Sequence, residues 1–172
     1  MKTIDSPKST QNYRVVHIHG AHQSSPKKIK RILLIDDEPQ ELFILREALL
    51  EIDADVSVEY INDLDIAVNQ NFSESDVIFL DLKMPKFDGY ELLENIRNAQ
   101  GEIPIIIYSA TKNGTKIDRA YELGANLFLT KPPDFEGLVN AIKSILQFNW
   151  TKPEQVKNTF FINGRHLPFC FS

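Results

Sequence analysis

Four short polar signals each follow an apolar run: Asp36 and Asp37 after Ile32-Leu33-Leu34-Ile35, Asp81 after Val77-Ile78-Phe79-Leu80, Ser109 after Ile105-Ile106-Ile107-Tyr108, and Lys131 after Leu127-Phe128-Leu129-Thr130. Adjacent acids facing a third concentrate more negative charge than one lysine neutralises. A hard divalent cation resolves this: Mg²⁺ takes oxygen ligands in octahedral geometry and keeps several waters. The expected ligands are Asp37 and Asp81 directly, the backbone carbonyl of Lys83, and Asp36 through water or by contact with the groups that hold the ion. A carboxylate beside such an ion can act as a nucleophile toward phosphorus and form an acyl phosphate, which makes Asp81 the candidate phosphoacceptor. Lys131 and the cation would neutralise the equatorial oxygens, and the Ser109 hydroxyl would add a hydrogen bond. Singly, an Asp at a strand end is commonly a cap or turn residue, and a Lys before Pro is commonly a solvated side chain. Their joint occurrence in this order points to phosphate chemistry.

The elements that must position these groups are legible around them. Continuous aliphatic runs are strands buried on both faces, and in an open parallel sheet ligands bind beyond the carboxyl ends of the strands. From Lys30 onward strands alternate with helices, which implies a parallel sheet covered on both sides. Glu38-Pro39 opens a helix bearing Leu42, Leu45 and Leu49 on one face. Residues 56–60 read as the second strand, 63–69 as a short helix and 76–80 as the third strand. Gly89 turns the chain into a helix with Leu92, Leu93 and Ile96. A fourth strand is expected over 103–108, a fourth helix over 115–123 stopped by Gly124, and a fifth strand over 126–130. Asp134 caps a last helix carrying Leu138, Val139, Ile142, Ile145 and Leu146.

Taken together, Ile35-Asp36-Asp37-Glu38-Pro39, Leu80-Asp81-Leu82-Lys83-Met84-Pro85 with Asp88-Gly89, Ser109-Ala110, and Gly124-Ala125-Asn126 through Lys131-Pro132 resemble the receiver domain of bacterial two-component response regulators over about residues 30–148. The resemblance implies a flavodoxin-like (βα)5 doubly wound sheet of strand order 2-1-3-4-5, dependence on Mg²⁺, and phosphotransfer to Asp81 from a sensor histidine kinase or histidine phosphotransfer protein. It implies a cis peptide at Lys131-Pro132. It also implies a switch in which Ser109 moves toward the phosphoryl group and Phe128 turns into the vacated space, changing the face made by the fourth helix, fifth strand and fifth helix. Phe128 lacks the hydroxyl of the family's frequent Tyr. Lys83 and Thr111, two residues beyond Asp81 and Ser109, are placed to tune phosphoryl lifetime. Neither is an acid or amide that would orient a water, so self-dephosphorylation is expected to be slow.

The chain has 172 residues, 42% hydrophobic and 25% charged, enough for one well-cored domain with tails. No run approaches the roughly 18 apolar residues of a membrane span, the start lacks a signal peptide's apolar segment, and a cytoplasmic protein is expected. Residues 1–31 carry seven Lys or Arg against Asp5 alone, leaving twelve basic and twenty-three acidic side chains in the remainder. The basic arm, 1–29, has the Ser, Pro, Gln and Asn of a solvated tail, and His17, His19 and His22 within it have no acid to complete a metal set. Cys170 reads as a surface or tail thiol.

The stretch 149–172 is unusually apolar, with Trp150, Phe160, Phe161, Ile162, Leu167, Phe169 and Phe171. Asn163-Gly164 is a preferred hairpin pair, so 159–162 and 165–167 are expected to form a small ribbon. Either this ribbon folds back on its own domain or it offers a homodimer or partner surface. The stretch is too short for a fused output domain, so a stand-alone receiver is expected. It would bind an unidentified protein target or relay the phosphoryl group, without direct DNA binding and without being an enzyme in its own right. The alternatives are a phosphorylation-independent scaffold and a metal-dependent aspartyl phosphatase, whose nucleophile would instead follow the first strand.

Overall fold

The computed structural model describes residues 28–52, 55–63, 67, 71–85 and 87–170. The apolar runs form a parallel sheet whose strands are β1 (Arg31–Ile35), β2 (Ser57–Ile61), β3 (Val77–Leu80), β6 (Ile105–Ser109) and β7 (Leu127–Thr130), in the order β2-β1-β3-β6-β7. Counting these five strands alone, that is the expected 2-1-3-4-5 arrangement. Every residue of β3, β6 and β7 is buried, whereas edge strand β2 exposes alternate residues. This is the pattern of central strands covered on both faces. Two short strands, β4 (Lys83–Met84) and β5 (Phe87–Asp88), pair antiparallel just after β3.

Helices α1 (Pro39–Ile52), α2 (Gly89–Gln100), α3 (Gly114–Glu122) and α4 (Phe135–Ile145) follow the strands. On α1 the buried face is Leu45, Ala48 and Leu49, with Leu42 packed at its margin. Asp88 caps α2, Asn113 caps α3 and Asp134 caps α4, each carboxylate or amide oxygen accepting a backbone N–H of the first turn. The fully buried Leu33, Leu80, Leu93, Ile107 and Ile142 belong to this core, and each contributes about 1.5–3 kcal/mol by leaving water. The helix expected over 63–69 lies largely outside the described residues, as do His17, His19, His22 and all of the basic arm before Lys28. Among the described residues, no helix is long and apolar enough to cross a membrane.

The last helix ends at Ile145 rather than near Phe148, because the Ile145 carbonyl accepts the Trp150 indole N–H at 2.9 Å and the chain turns. A further helix, α5 (Pro153–Thr159), follows, so Thr159 is helical and not part of the ribbon. The ribbon is shorter than expected: β8 (Phe161–Ile162) pairs with β9 (Arg165–His166) across Asn163-Gly164. Both turn residues have positive φ, 53° and 77°, as a two-residue hairpin requires.

This segment folds back on its own domain. Phe148, Trp150, Val156 and Phe160 are buried, and Phe148, Trp150, Phe160 and Phe169 make edge-to-face ring pairs about Phe148. Phe169 then lies along the free edge of β7, donating its N–H to the Phe128 carbonyl and accepting the Thr130 N–H. An edge strand's unpaired groups are thereby covered. Of the apolar side chains that suggested an intermolecular surface, Phe161 remains exposed.

Candidate functional site

The parallel register brings the polar signals to one end of the sheet. Ile35 pairs with Leu80, Leu80 with Ile107, and Ser109 with Thr130, so Asp36, Asp81 and Lys131 each emerge one residue past a strand end. The Asp81 N–H donates to the Ile35 carbonyl and the Lys131 N–H to the Ser109 carbonyl, which fixes these exits relative to one another. Beside Asp81, Gly89 is required by close approach. A Cβ there would stand 2.6 Å from the Leu82 Cα and 2.9 Å from the Asp81 carbonyl oxygen. Any larger residue would push α2 off the exit of β3.

Carboxylate oxygens of Asp36, Asp37 and Asp81 all lie within 4.8 Å of one another. Asp36 and Asp81 are buried and Asp37 half-buried. Asp36 Oδ1 accepts the Glu38 N–H at 2.8 Å, and Asp81 Oδ2 accepts the Lys83 N–H at 3.0 Å. Asp37 Oδ1 is buried with no hydrogen-bond partner. A buried, orphaned carboxylate oxygen inside an all-oxygen acidic set is what a hard cation satisfies, so these residues fit Mg²⁺. Burial raises the Asp36 carboxyl to about 6, against the pull of the Glu38 N–H and Lys131. Burial likewise raises Asp81, with Lys131 and the Lys83 N–H opposing it.

Lys131 reaches across the cluster, its Nζ 3.3 Å from Asp36 Oδ2 and 4.0 Å from Asp81 Oδ1. Burial lowers its affinity for a proton, but Asp81, Asp36 and Glu41 outweigh that and hold the ammonium above its ordinary range. The reach is made without a cis peptide. The Lys131-Pro132 bond, expected cis, is trans, which is the isomer an X-Pro bond prefers by about 0.5–1 kcal/mol without tertiary constraint.

Ser109 is buried at the end of β6, and Phe128 is fully buried in β7. The Phe128 N–H donates to the Tyr121 hydroxyl at 3.0 Å, and that hydroxyl donates to the Leu167 carbonyl at 3.2 Å. The His166 ring stacks on the Tyr121 ring at 4.3 Å, and the His166 backbone N–H donates to Asp118 Oδ1. Strand β7 is thus tied to both α3 and the C-terminal segment. Lys83 lies exposed on β4, and Thr111 sits half-buried, its hydroxyl accepting the Asn113 N–H at 3.4 Å. Between α3 and the C-terminal segment a cavity of about 200 Å³ is lined by Ile117, Asp118, Thr130, His166 and the partly exposed Cys170.

Sequence reasoning missed two contributors. Glu41, in the first turn of α1, places Oε1 3.3 Å from Lys131 Nζ. Tyr108 lies under the same ammonium, its ring centroid 4.8 Å away. An acid in a first helical turn and an aromatic residue ending a buried strand carry no distinctive signal, because each role depends on where Lys131 lands.

The family model described as the response regulator receiver domain matches residues 32–143. The transcriptional activator protein IrlR of Burkholderia pseudomallei is 34% identical over 118 residues, covering 68% of this chain and 50% of that protein. The transcriptional regulatory protein CpxR of Escherichia coli is 33% identical over 130 residues, covering 74% of this chain and 54% of its own length. The chain therefore spans about half the length of these curated relatives. Among solved structures, the phosphorylated cyanobacterial phytochrome response regulator RcpA is 27% identical with a TM-score of 0.62, covering 72% of this chain and 96% of that one. The Mn²⁺-bound form of response regulator Rcp1 is also 27% identical, with a TM-score of 0.57 over 69% of this chain and 93% of that one. The family model spans well over half of the chain and the sheet has the fold of these structures, so the chain belongs to the response regulator receiver domain family.

Proposed function

We propose that the chain is a phosphorylation-controlled signalling switch that accepts a phosphoryl group on Asp81 from the phosphohistidine of a sensor histidine kinase or histidine phosphotransfer protein. The observation that carries this reading is the convergence of Asp36, Asp37 and Asp81 within 4.8 Å with Lys131 reaching across them. In the transfer, an Asp81 carboxylate oxygen forms a bond to phosphorus while the P–N bond to imidazole breaks, the departing nitrogen keeping the electron pair. Mg²⁺, held by Asp37, Asp81, the Lys83 carbonyl and, through water, Asp36, would supply charge neutralisation for the transferred group. Lys131 would take a phosphoryl oxygen, and Ser109 would donate a hydrogen bond. The chain's own catalysis would be confined to self-phosphorylation and slow self-dephosphorylation, consistent with Lys83 and Thr111 at the two tuning positions.

The readout follows from the backbone ties. Thr130, next to Lys131, donates to the Phe169 carbonyl, and the Phe128 carbonyl accepts the Phe169 N–H. A shift of Ser109 and Lys131 would change the hold of β7 on residues 165–170, a population shift between two packings that alters what a protein target meets. Exposed Phe43, Ile44 and Phe135, on α1 and at the start of α4, provide apolar surface for a phosphodonor partner. Beyond residue 31 the acidic excess, twenty-three acids against twelve bases, disfavours DNA phosphates, so a protein target in the cytoplasm is the partner we assign. The test is transfer from a phosphorylated histidine phosphotransfer protein in Mg²⁺. Label should move to the wild-type chain and not to Asp81→Asn; a chain that takes no label from any such donor contradicts the reading.

A further inference from the structure

We propose that Glu41 is a positioning residue that sets the resting place of the Lys131 ammonium and thereby restrains phosphorylation of Asp81; the proposal rests on the reading of Asp81 as the phosphoacceptor. Its basis is a grip that encloses the lysine. Glu41 Oε1 and Asp36 Oδ2 each stand 3.3 Å from Lys131 Nζ, whereas Asp81 Oδ1 stands 4.0 Å away, beyond hydrogen-bond reach. Side-chain exposure is 17% for Lys131 and 19% for Glu41, so solvent and salt screen the pair weakly.

The grip is also braced. The Glu41 N–H donates to the Glu38 carbonyl at 3.0 Å, and the Glu38 N–H donates to Asp36 Oδ1 at 2.8 Å. Both carboxylates thus belong to one turn leading into α1. Tyr108, 3% exposed, lies beneath the ammonium at 4.8 Å. Burial first, then the Glu41 charge, raises its hydroxyl above its ordinary range.

An ammonium has three N–H donors. In this arrangement two acceptors other than Asp81 stand closest to it. A phosphoryl group on Asp81 needs a lysine donor for its oxygens, so Lys131 must turn from Glu41 as the transfer proceeds. That turn slows the formation of the acyl phosphate. Glu41 takes no part in bond making. With acetyl phosphate as donor, the Asp81 oxygen bonds to phosphorus, the P–O bond to acetate breaks, and acetate leaves with the electron pair.

The experiment uses the full chain, acetyl phosphate and Mg²⁺, with initial labelling rates read by intact mass. Glu41→Gln keeps the side chain's shape and removes its charge; it should raise the rate about fivefold, the factor expected for releasing a partly buried ion pair. In a Lys131→Gln background the same substitution should change the rate less than about twofold, because its effect runs through the lysine. The ¹⁵N shift of Lys131 Nζ should move in Glu41→Gln before any phosphodonor is added, a signature that a merely structural role would not give. A labelled wild type with an equal or slower Glu41→Gln, or a rise that persists without Lys131, overturns the proposal while leaving the phosphoacceptor reading intact. An unlabelled wild type overturns both.

Discussion

Asp36 is held in its charged form against a cost, and replacing it with Asn should make the cation-free protein more stable. The side chain is 1% exposed and burial raises its carboxyl from 3.8 to about 6. The folded state therefore binds this proton more tightly than the unfolded state. The contribution of Asp36 to stability falls as pH rises from its unfolded value through about 6, then levels off. At neutral pH the accumulated cost is about 3 kcal/mol. Asn resembles the protonated carboxyl and can still accept the Glu38 N–H through its amide oxygen. It gives up the 3.3 Å contact with Lys131, whose pull is already contained in the raised value.

Asp36→Asn should thus exceed wild type by about 1–3 kcal/mol in urea unfolding with EDTA near neutral pH, and the gap should close toward about pH 4. Saturating Mg²⁺ should narrow or reverse the order, since a ligand bound only by the folded state stabilises in proportion to ln(1 + [L]/Kd) and wild type alone keeps the full acidic set. A variant less stable than wild type without cation near neutral pH, or a gap that does not change with pH, would refute the argument that burial of this charge is what the ion offsets.

Three other outcomes follow from particular contacts. Tyr121→Phe removes the hydroxyl that receives the buried Phe128 N–H and holds the Leu167 carbonyl; it should cost about 1–3 kcal/mol in urea and speed amide exchange at Phe128. Phe169→Pro removes the N–H bonded to Phe128, so the Thr130 amide should lose exchange protection while β1 and β3 amides keep theirs. With neither an acid nor an amide at Lys83 or Thr111, the Mg²⁺-bound acyl phosphate should decay with a half-life on the order of minutes or longer; loss within seconds in a mass time course would show that another group orients water.

The sheet was readable because four of its strands are uninterrupted aliphatic runs ended by a polar residue, a pattern that carries both the element and the face it presents. The clustering of the three acids was readable for the same reason, since Asp36, Asp37 and Asp81 sit immediately past those runs. Glu41 was not, because its partner lies ninety positions away on β7's exit and only the parallel register brings them together. Helix α5 has one buried side chain, Val156, and so no apolar period to betray it. The extent of α4 was overestimated because Leu146 and Phe148 continue the helical spacing, while the chain's actual turn is set by the Trp150 indole on the Ile145 carbonyl. The edge pairing of Phe169 with β7 rests on backbone groups, which every residue but proline carries. The expected cis bond before Pro132 came from family likeness alone, and nothing local in Thr130-Lys131-Pro132 demanded it.

The central claim, that Asp81 is a Mg²⁺-dependent phosphoacceptor, is tested most directly by intact-mass and peptide-mapping measurement after incubation with acetyl phosphate, with Mg²⁺ or with EDTA. The account predicts a single added phosphoryl group on Asp81 that requires Mg²⁺ and is absent from Asp81→Asn. A wild-type mass that does not change in Mg²⁺, or label that survives either EDTA or the Asp81→Asn substitution, would contradict it.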